Sequence, residues 1–130
     1  MTIEQKRVVC IEDEPEMIDL ISLILGRKGY EVIGAHGGLA AFDVILENNP
    51  DLILLDLMMP DMDGWEVYQK VKADSELKNI PVVVVTAKAQ SIDKVLGLHI
   101  AKVEDYISKP FSPQELINSV EQVLAREKAS

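Results

Sequence analysis

The chain has 130 residues, 48% of them apolar and 27% charged, with a net charge of −9. That length suits a single domain with one core, and the acidic balance argues against direct nucleic-acid binding, which needs a basic surface. No apolar stretch approaches the ~20 residues of a membrane span, and the charged start Met1–Arg7 precedes no signal-type apolar segment, so a cytoplasmic protein with no membrane partner is expected.

The domain is expected over residues 1–130, with its core at about 6–125 and a polar tail at 126–130. Arg7–Ile11 is the first strand-like run, and within it Cys10, the one cysteine, reads as a buried thiol and excludes an intramolecular disulfide. Met17, Leu20, Ile21, Ile24 and Leu25 follow at helical spacing, with Gly29 as a stop. A second strand at Glu31–Ala35 leads to a shorter helix marked by Ala41, Val44, Ile45 and Leu46. Asp51–Leu55 is the third strand, and its unbroken apolar run Leu52–Leu55 has the pattern of a central strand buried on both faces. Val67, Tyr68 and Val71 mark a third helix, Pro81–Val85 a fourth strand, and Ile92, Val95, Leu96 and Ile100 a fourth helix. Asp105–Ser108 is the fifth strand. The last helix opens on Ser112-Pro113-Gln114-Glu115, a capping box with proline at the first helical position, and continues through Leu116, Val120, Val123 and Leu124. Five strand–helix alternations imply an α/β fold with parallel strands, helices on both faces and right-handed crossovers.

Polar residues recur where these strands end: Glu12-Asp13-Glu14 after the first, Asp56 after the third, Thr86 after the fourth, and Lys109-Pro110 after the fifth. Parallel strands bring their carboxyl ends to one edge, where open α/β sheets keep their chemistry. Glu14, ahead of Pro15, is more simply a helix-start residue. Glu12, Asp13 and Asp56 crowded together repel one another, and a hard divalent cation such as Mg²⁺ relieves that repulsion while accepting water and a phosphate oxygen. Asp56 then has the character of a nucleophile toward phosphorus, with Lys109 neutralising charge on the transferred group and Thr86 donating a hydrogen bond to it.

With Glu12-Asp13, Asp56 inside Leu54-Leu55-Asp56-Leu57-Met58-Met59-Pro60-Asp61-Met62-Asp63-Gly64, Thr86-Ala87, and Asp105-Tyr106-Ile107-Ser108-Lys109-Pro110-Phe111 in this order, the chain resembles the receiver domains of two-component response regulators over nearly its whole length. The resemblance implies a flavodoxin-like, doubly wound, five-stranded parallel sheet of order 2-1-3-4-5 with five helices. It implies that Asp56 accepts a phosphoryl group from a sensor histidine kinase or phosphotransfer protein. It also implies Mg²⁺ held by Asp13, Asp56 and the Met58 backbone carbonyl, with Glu12 acting through water. Lys109 is implied to contact the phosphoryl group, Thr86 to move toward it, and Tyr106 to turn inward behind it. The surface made by the fourth helix, fifth strand and fifth helix is then the one that controls a partner or an attached effector. Met58 and Lys88 are implied by the same resemblance to flank the phosphoryl position and to bear on water access. The glycine and arginine usual in winged-helix regulators are replaced by Lys102 and Ser119, which puts their charged dimer face in doubt. A stand-alone module and a fragment of a larger regulator are equally compatible with the chain.

The neighbours of Asp56 carry simpler roles. Asp61, Asp63 and Gly64 lack the glutamate that an EF-hand loop needs and fit a turn and a helix cap. Met58 and Met59 read as side chains over the site, Trp65 as packed or at the surface, and His36 and His99 as lacking metal-ligand spacing. An aspartate-nucleophile phosphatase of the haloacid dehalogenase type needs a second aspartate where this chain has Met58. A nucleotide- or flavin-binding protein needs a glycine-rich loop after the first strand, which is missing. A binding module that takes no phosphate is the remaining rival. The chain is therefore expected to be a signalling module rather than a conventional enzyme.

Overall fold

A computed structural model describes residues 5–87 and 103–129. Along the chain lie β1 (Arg7–Ile11), α1 (Pro15–Gly26), β2 (Glu31–Ala35), α2 (Gly38–Asn48), β3 (Leu52–Leu55), α3 (Gly64–Ala73), β4 (Val82–Ala87), β5 (Asp105–Lys109) and α4 (Pro113–Ala129). The five strands form one sheet in the order β2-β1-β3-β4-β5, and every neighbouring pair is parallel. This is the flavodoxin-like arrangement expected. The helix predicted around Ile92–Ile100 falls outside the described residues, as do Lys88, His99 and Lys102; the fifth predicted helix is α4.

Alternation along the strands builds two cores, because successive side chains leave opposite faces of a sheet. Val9, Ile11, Ile53, Leu55, Val82 and Val84 face α2 and α3, joining Ala41, Ile45, Val67 and Val71. Val8, Cys10, Leu52, Leu54, Val83 and Val85 face α1 and α4, joining Ile21, Leu25, Leu116 and Val120. Cys10 is buried in the second cluster, and burial, reinforced by Glu12, pushes its thiol up to about 12. It is a packing residue rather than a reactive one.

Helix starts follow their local chemistry unevenly. At α4 the reciprocal capping box forms: the Glu115 amide donates to Ser112 Oγ (3.1 Å) and the Ser112 amide to Glu115 Oε1 (2.8 Å). Asp63 caps α3 by accepting from the Trp65 amide at 2.9 Å. The start of α2 has no cap of its own. Gly37 stands at φ 111°, and the amides of Gly38 and Leu39 donate to the two carboxylate oxygens of Asp61, both at 3.1 Å. Asp61, expected in a turn and cap beside α3, therefore caps a different helix, and the amides of Leu39 and Gly38 hold its carboxyl below the usual range.

Gly64 begins α3 where the chain passes against the end of β3. A Cβ there would lie 2.4 Å from the Asp56 carbonyl oxygen and 2.5 Å from Leu57 Cα, both backbone atoms that cannot rotate away. Gly26, at the last position of α1, has nothing within 4 Å of such an atom. Gly64→Ala is expected to lower stability by about 1–3 kcal/mol through overpacking. Gly26→Ala should raise it by about 0.4–1 kcal/mol by restricting the unfolded chain. Urea melts of both variants check the contrast, and equal effects would contradict the close approach at Gly64.

Candidate functional site

The backbone ladder carries the site residues past the ends of the apolar strands. The Glu12 amide donates to Ala35 O and the Asp56 amide to Ile11 O, each at 3.0 Å, so both carboxylates emerge from an ordered sheet edge. Asp13 follows at the surface, only part-buried, whereas Glu12 is 2% and Asp56 4% exposed. One carboxylate oxygen from each of Glu12, Asp13 and Asp56 lies within 4.8 Å of the others, a set that could hold a metal ion.

Among the described residues, the Lys109 ammonium reaches into this cluster. Lys109 ends β5 and its Nζ donates to Glu12 Oε1 at 2.5 Å and to Asp56 Oδ2 at 3.5 Å. Of its two carboxylate partners, Glu12 is the nearer to Lys109, the residue that the resemblance directs at a phosphoryl group. Burial pushes the Glu12 carboxyl up to about 7, and Asp56 adds to the rise, while the hydrogen bond from Lys109 opposes it. Burial alone would pull the Lys109 ammonium down, but its hydrogen bond with Glu12 and the charge of Asp56 outweigh that and raise it.

Local backbone fixes the acceptor oxygens. The Met58 amide donates to Asp56 Oδ1 at 3.0 Å, the Glu14 amide to Glu12 Oε2 at 3.2 Å, and the Gly64 amide closes the loop onto Leu57 O at 3.0 Å. Glu14 itself is the residue ahead of α1, exposed and followed by Pro15 at the first turn, in the helix-start role expected of it. Met58 is 57% exposed beside Asp56, whereas Met59 is buried in the cluster under α2 and α3 and does not lie over the site. Trp65 packs against that same cluster, and His36 is exposed.

On the other flank, Thr86 pairs in register with Ser108, and the next pair is Ala87 with Lys109, so the backbones of β4 and β5 end side by side at this edge. Tyr106 is half-buried on β5 and packs against the α2/α3 cluster. The structure thus brings Glu12, Asp13, Asp56 and Lys109 together and sets the Thr86 position on the adjoining strand.

Among the polar contacts that the sequence does not signal directly, two lie close to these elements. Ser119, buried within the apolar stripe of α4, donates to Asp105 Oδ2 at 2.6 Å, and Asp105 Oδ1 accepts from the Tyr106 amide at 2.8 Å. A hydroxyl at a core position of an amphipathic helix is the signal that would have found the first, because a buried polar group needs a partner. The Asp61 contact with α2 is the second. It left no local signal, since its partners are backbone amides 22 and 23 residues away.

The donor set suits a hard divalent cation: three carboxylates, one of them open to water, with no soft ligand among the clustered groups.

The response regulator receiver domain model matches residues 8–121. Among solved structures, the N-terminal domain of a response regulator receiver protein from Methanoculleus marisnigri is 35% identical with a TM-score of 0.74, covering 95% of this chain and 99% of that one. The receiver domain of a signal transduction histidine kinase from Syntrophus aciditrophicus is 29% identical with a TM-score of 0.87, covering 96% and 94%. The chemotaxis response regulator CheY4 of Vibrio cholerae is 27% identical with a TM-score of 0.84, covering 92% and 99%. With its family match running from the first strand into the last helix, the chain belongs to the response regulator receiver domains of two-component signalling.

Proposed function

We propose that this receiver domain takes a phosphoryl group onto Asp56 from a phosphohistidine of a sensor kinase or phosphotransfer protein and passes the signal through the surface around β5 and α4. The observation that carries the reading is the convergence of Glu12, Asp13, Asp56 and Lys109 at the carboxyl edge of a receiver-family sheet. A carboxylate oxygen of Asp56 attacks phosphorus, the P–N bond to the donor imidazole breaks with its electron pair left on nitrogen, and an acyl phosphate forms. Asp13 and Asp56 would hold Mg²⁺ directly, Glu12 through water, and the Met58 carbonyl would complete the protein ligands. That cation supplies positive charge beside the phosphoryl oxygens as they pass between donor and acceptor.

Lys109 has two calls on its charge. Before transfer it neutralises Glu12 and Asp56; after transfer it turns to the phosphoryl oxygens. The Thr86 hydroxyl follows the same oxygens, and Tyr106 turns inward behind it. This is a population shift driven by contacts made only in the phosphorylated state, and a coupling of about 1–3 kcal/mol is typical of such switches. A cleft of about 400 Å³ between β5 and α4, lined in part by Tyr106, Ser108, Glu115 and Asn118, lies on the surface that would be remodelled. Met58, exposed beside the acceptor, stands where it would hinder water and lengthen the lifetime of the acyl phosphate.

Incubation with acetyl phosphate and Mg²⁺ tests the reading. One acid-stable, hydroxylamine-labile phosphoryl group per chain is expected, absent in Asp56→Asn, with the rate reduced on the order of 10²-fold in Lys109→Gln. Sustained turnover of phosphoesters would make the protein a phosphatase instead, and no modification would leave a pure binding module.

The crowded carboxylates also set a pH dependence. Glu12 stands near 7 in the folded protein against an ordinary value of 4.5, so the folded state keeps a proton that the unfolded chain has released. Its stabilising contribution is full below about pH 4.5 and is lost as pH rises through 7. Metal-free melts between pH 5 and 7.5 should show this loss, about 1–3 kcal/mol. Glu12→Gln should flatten the slope, and saturating Mg²⁺ should restore stability at the alkaline end; an equal slope in the variant would contradict the assignment.

Asp13→Asn is expected to stabilise the metal-free protein while weakening Mg²⁺ binding at least tenfold. Thermal melts and calorimetric titration check both halves, and a destabilised metal-free variant would argue against a repulsive cluster.

A further inference from the structure

We propose that Asp61 is a positioning residue for the acidic site: by strapping the apex of the β3–α3 loop to the start of α2, it fixes the Met58 backbone that faces the acceptor. The inference rests on the phosphoacceptor reading above.

The loop from Asp56 to Gly64 is pinned at both ends. Asp56 enters it with its amide on Ile11 O, and the Gly64 amide closes it onto Leu57 O. Between these pins Met58 contributes the amide that holds Asp56 Oδ1 at 3.0 Å. Three residues further on, Asp61 reaches out of the loop and accepts from Gly38 N and Leu39 N with one oxygen each, a two-point contact that restrains orientation as well as distance.

The opposing surface is shaped for this contact. A Cβ at Gly37 would lie 2.6 Å from Asp61 Oδ2, and one at Gly38 would lie 2.7 Å from Met62 Cβ. The start of α2 therefore lacks a side chain at both places where the loop rests on it. It also lacks a side-chain cap of its own, and Asp61 supplies one. Gly37 leaves room for the Asp61 carboxylate and Gly38 for the Met62 side chain beside it, contacts that a residue serving only its own turn would not need. The loop and α2 instead form one unit, and a change in α2 would be felt at Met58.

A matched control is available. Asp74 also accepts from two backbone amides, Glu76 N at 2.8 Å and Leu77 N at 3.2 Å, beyond the far end of α3. Asp61→Ala, Asp61→Asn and Asp74→Ala should be compared with the unaltered chain by amide hydrogen exchange without metal and by calorimetric Mg²⁺ titration in high salt, which screens the lost charge. Asp61→Ala is expected to speed exchange of the Met58 and Gly38 amides and to weaken Mg²⁺ binding about 3- to 10-fold. Asp61→Asn, which keeps one acceptor oxygen, should fall between it and the unaltered chain. Asp74→Ala should lose thermal stability with no change at Met58 or in Mg²⁺ affinity. The proposal is overturned if Met58 exchange in Asp61→Ala matches the unaltered chain, or if the alanine and asparagine variants weaken Mg²⁺ equally, which would reduce Asp61 to a distant charge. Failure of the unaltered chain to bind Mg²⁺ or take phosphate would overturn the functional reading itself, a result visible before any variant is made.

Discussion

Burying carboxylates against one another is the constraint around which this sheet edge is organised. Glu12 and Asp56 are almost wholly withdrawn from water, and neither would hold its charge there without compensation. Lys109 provides it, from a strand that joins the sheet two places away from β3 and three from β1. An ion pair of this kind is a poor source of stability, since desolvation offsets the attraction. Among the described residues Lys109 sits between two buried carboxylates with a third, Asp13, close by, a set of groups that could hold a metal ion.

That arrangement persists because the scaffold beneath it is rigid. The two cores on either face of the sheet are built from alternating residues of the same strands, so Glu12 and Asp56 cannot retreat without shifting both clusters. The close approach of Gly64 to the Asp56 carbonyl and the closure of its amide onto Leu57 O keep the loop short and tight. Packing of this density transmits displacement rather than absorbing it.

Hydrophobic patterning and hydrogen bonding do not end at the same residue, and the sequence shows only the first. β1 and β2 fall where the apolar runs place them, but β4 continues to Ala87 and β5 to Lys109, beyond the runs that end at Val85 and Ser108. The ladder persists into polar residues because parallel pairing needs only backbone partners. Thr86 and Lys109 are thus strand residues with defined register rather than loop residues. The start of α2 was illegible for a related reason: apolar spacing begins at Ala41, while the helix begins at Gly38 on the strength of a carboxylate from another loop. Local capping chemistry, as at Ser112–Glu115, can be read; capping from a distance cannot. The sheet order was supplied by family resemblance, since alternation alone fixes parallel strands but not which strand lies beside which.

The Ser119–Asp105 bond bears on how the surface around β5 and α4 would behave in the proposed switch. Asp105 has both oxygens engaged within its own chain, one by the Ser119 hydroxyl and one by the Tyr106 amide. Turning this carboxylate away toward an arginine across an interface would leave the buried Ser119 hydroxyl without it, and a buried polar group left unpaired is costly. The Ser119 bond ties α4 to the residue ahead of Tyr106, so an inward turn of Tyr106 would act on a strand already anchored to the last helix. In the proposed switch, β5 and α4 would therefore respond together, and the signal reaching a partner would be a change in the cleft they share rather than the release of a free charge.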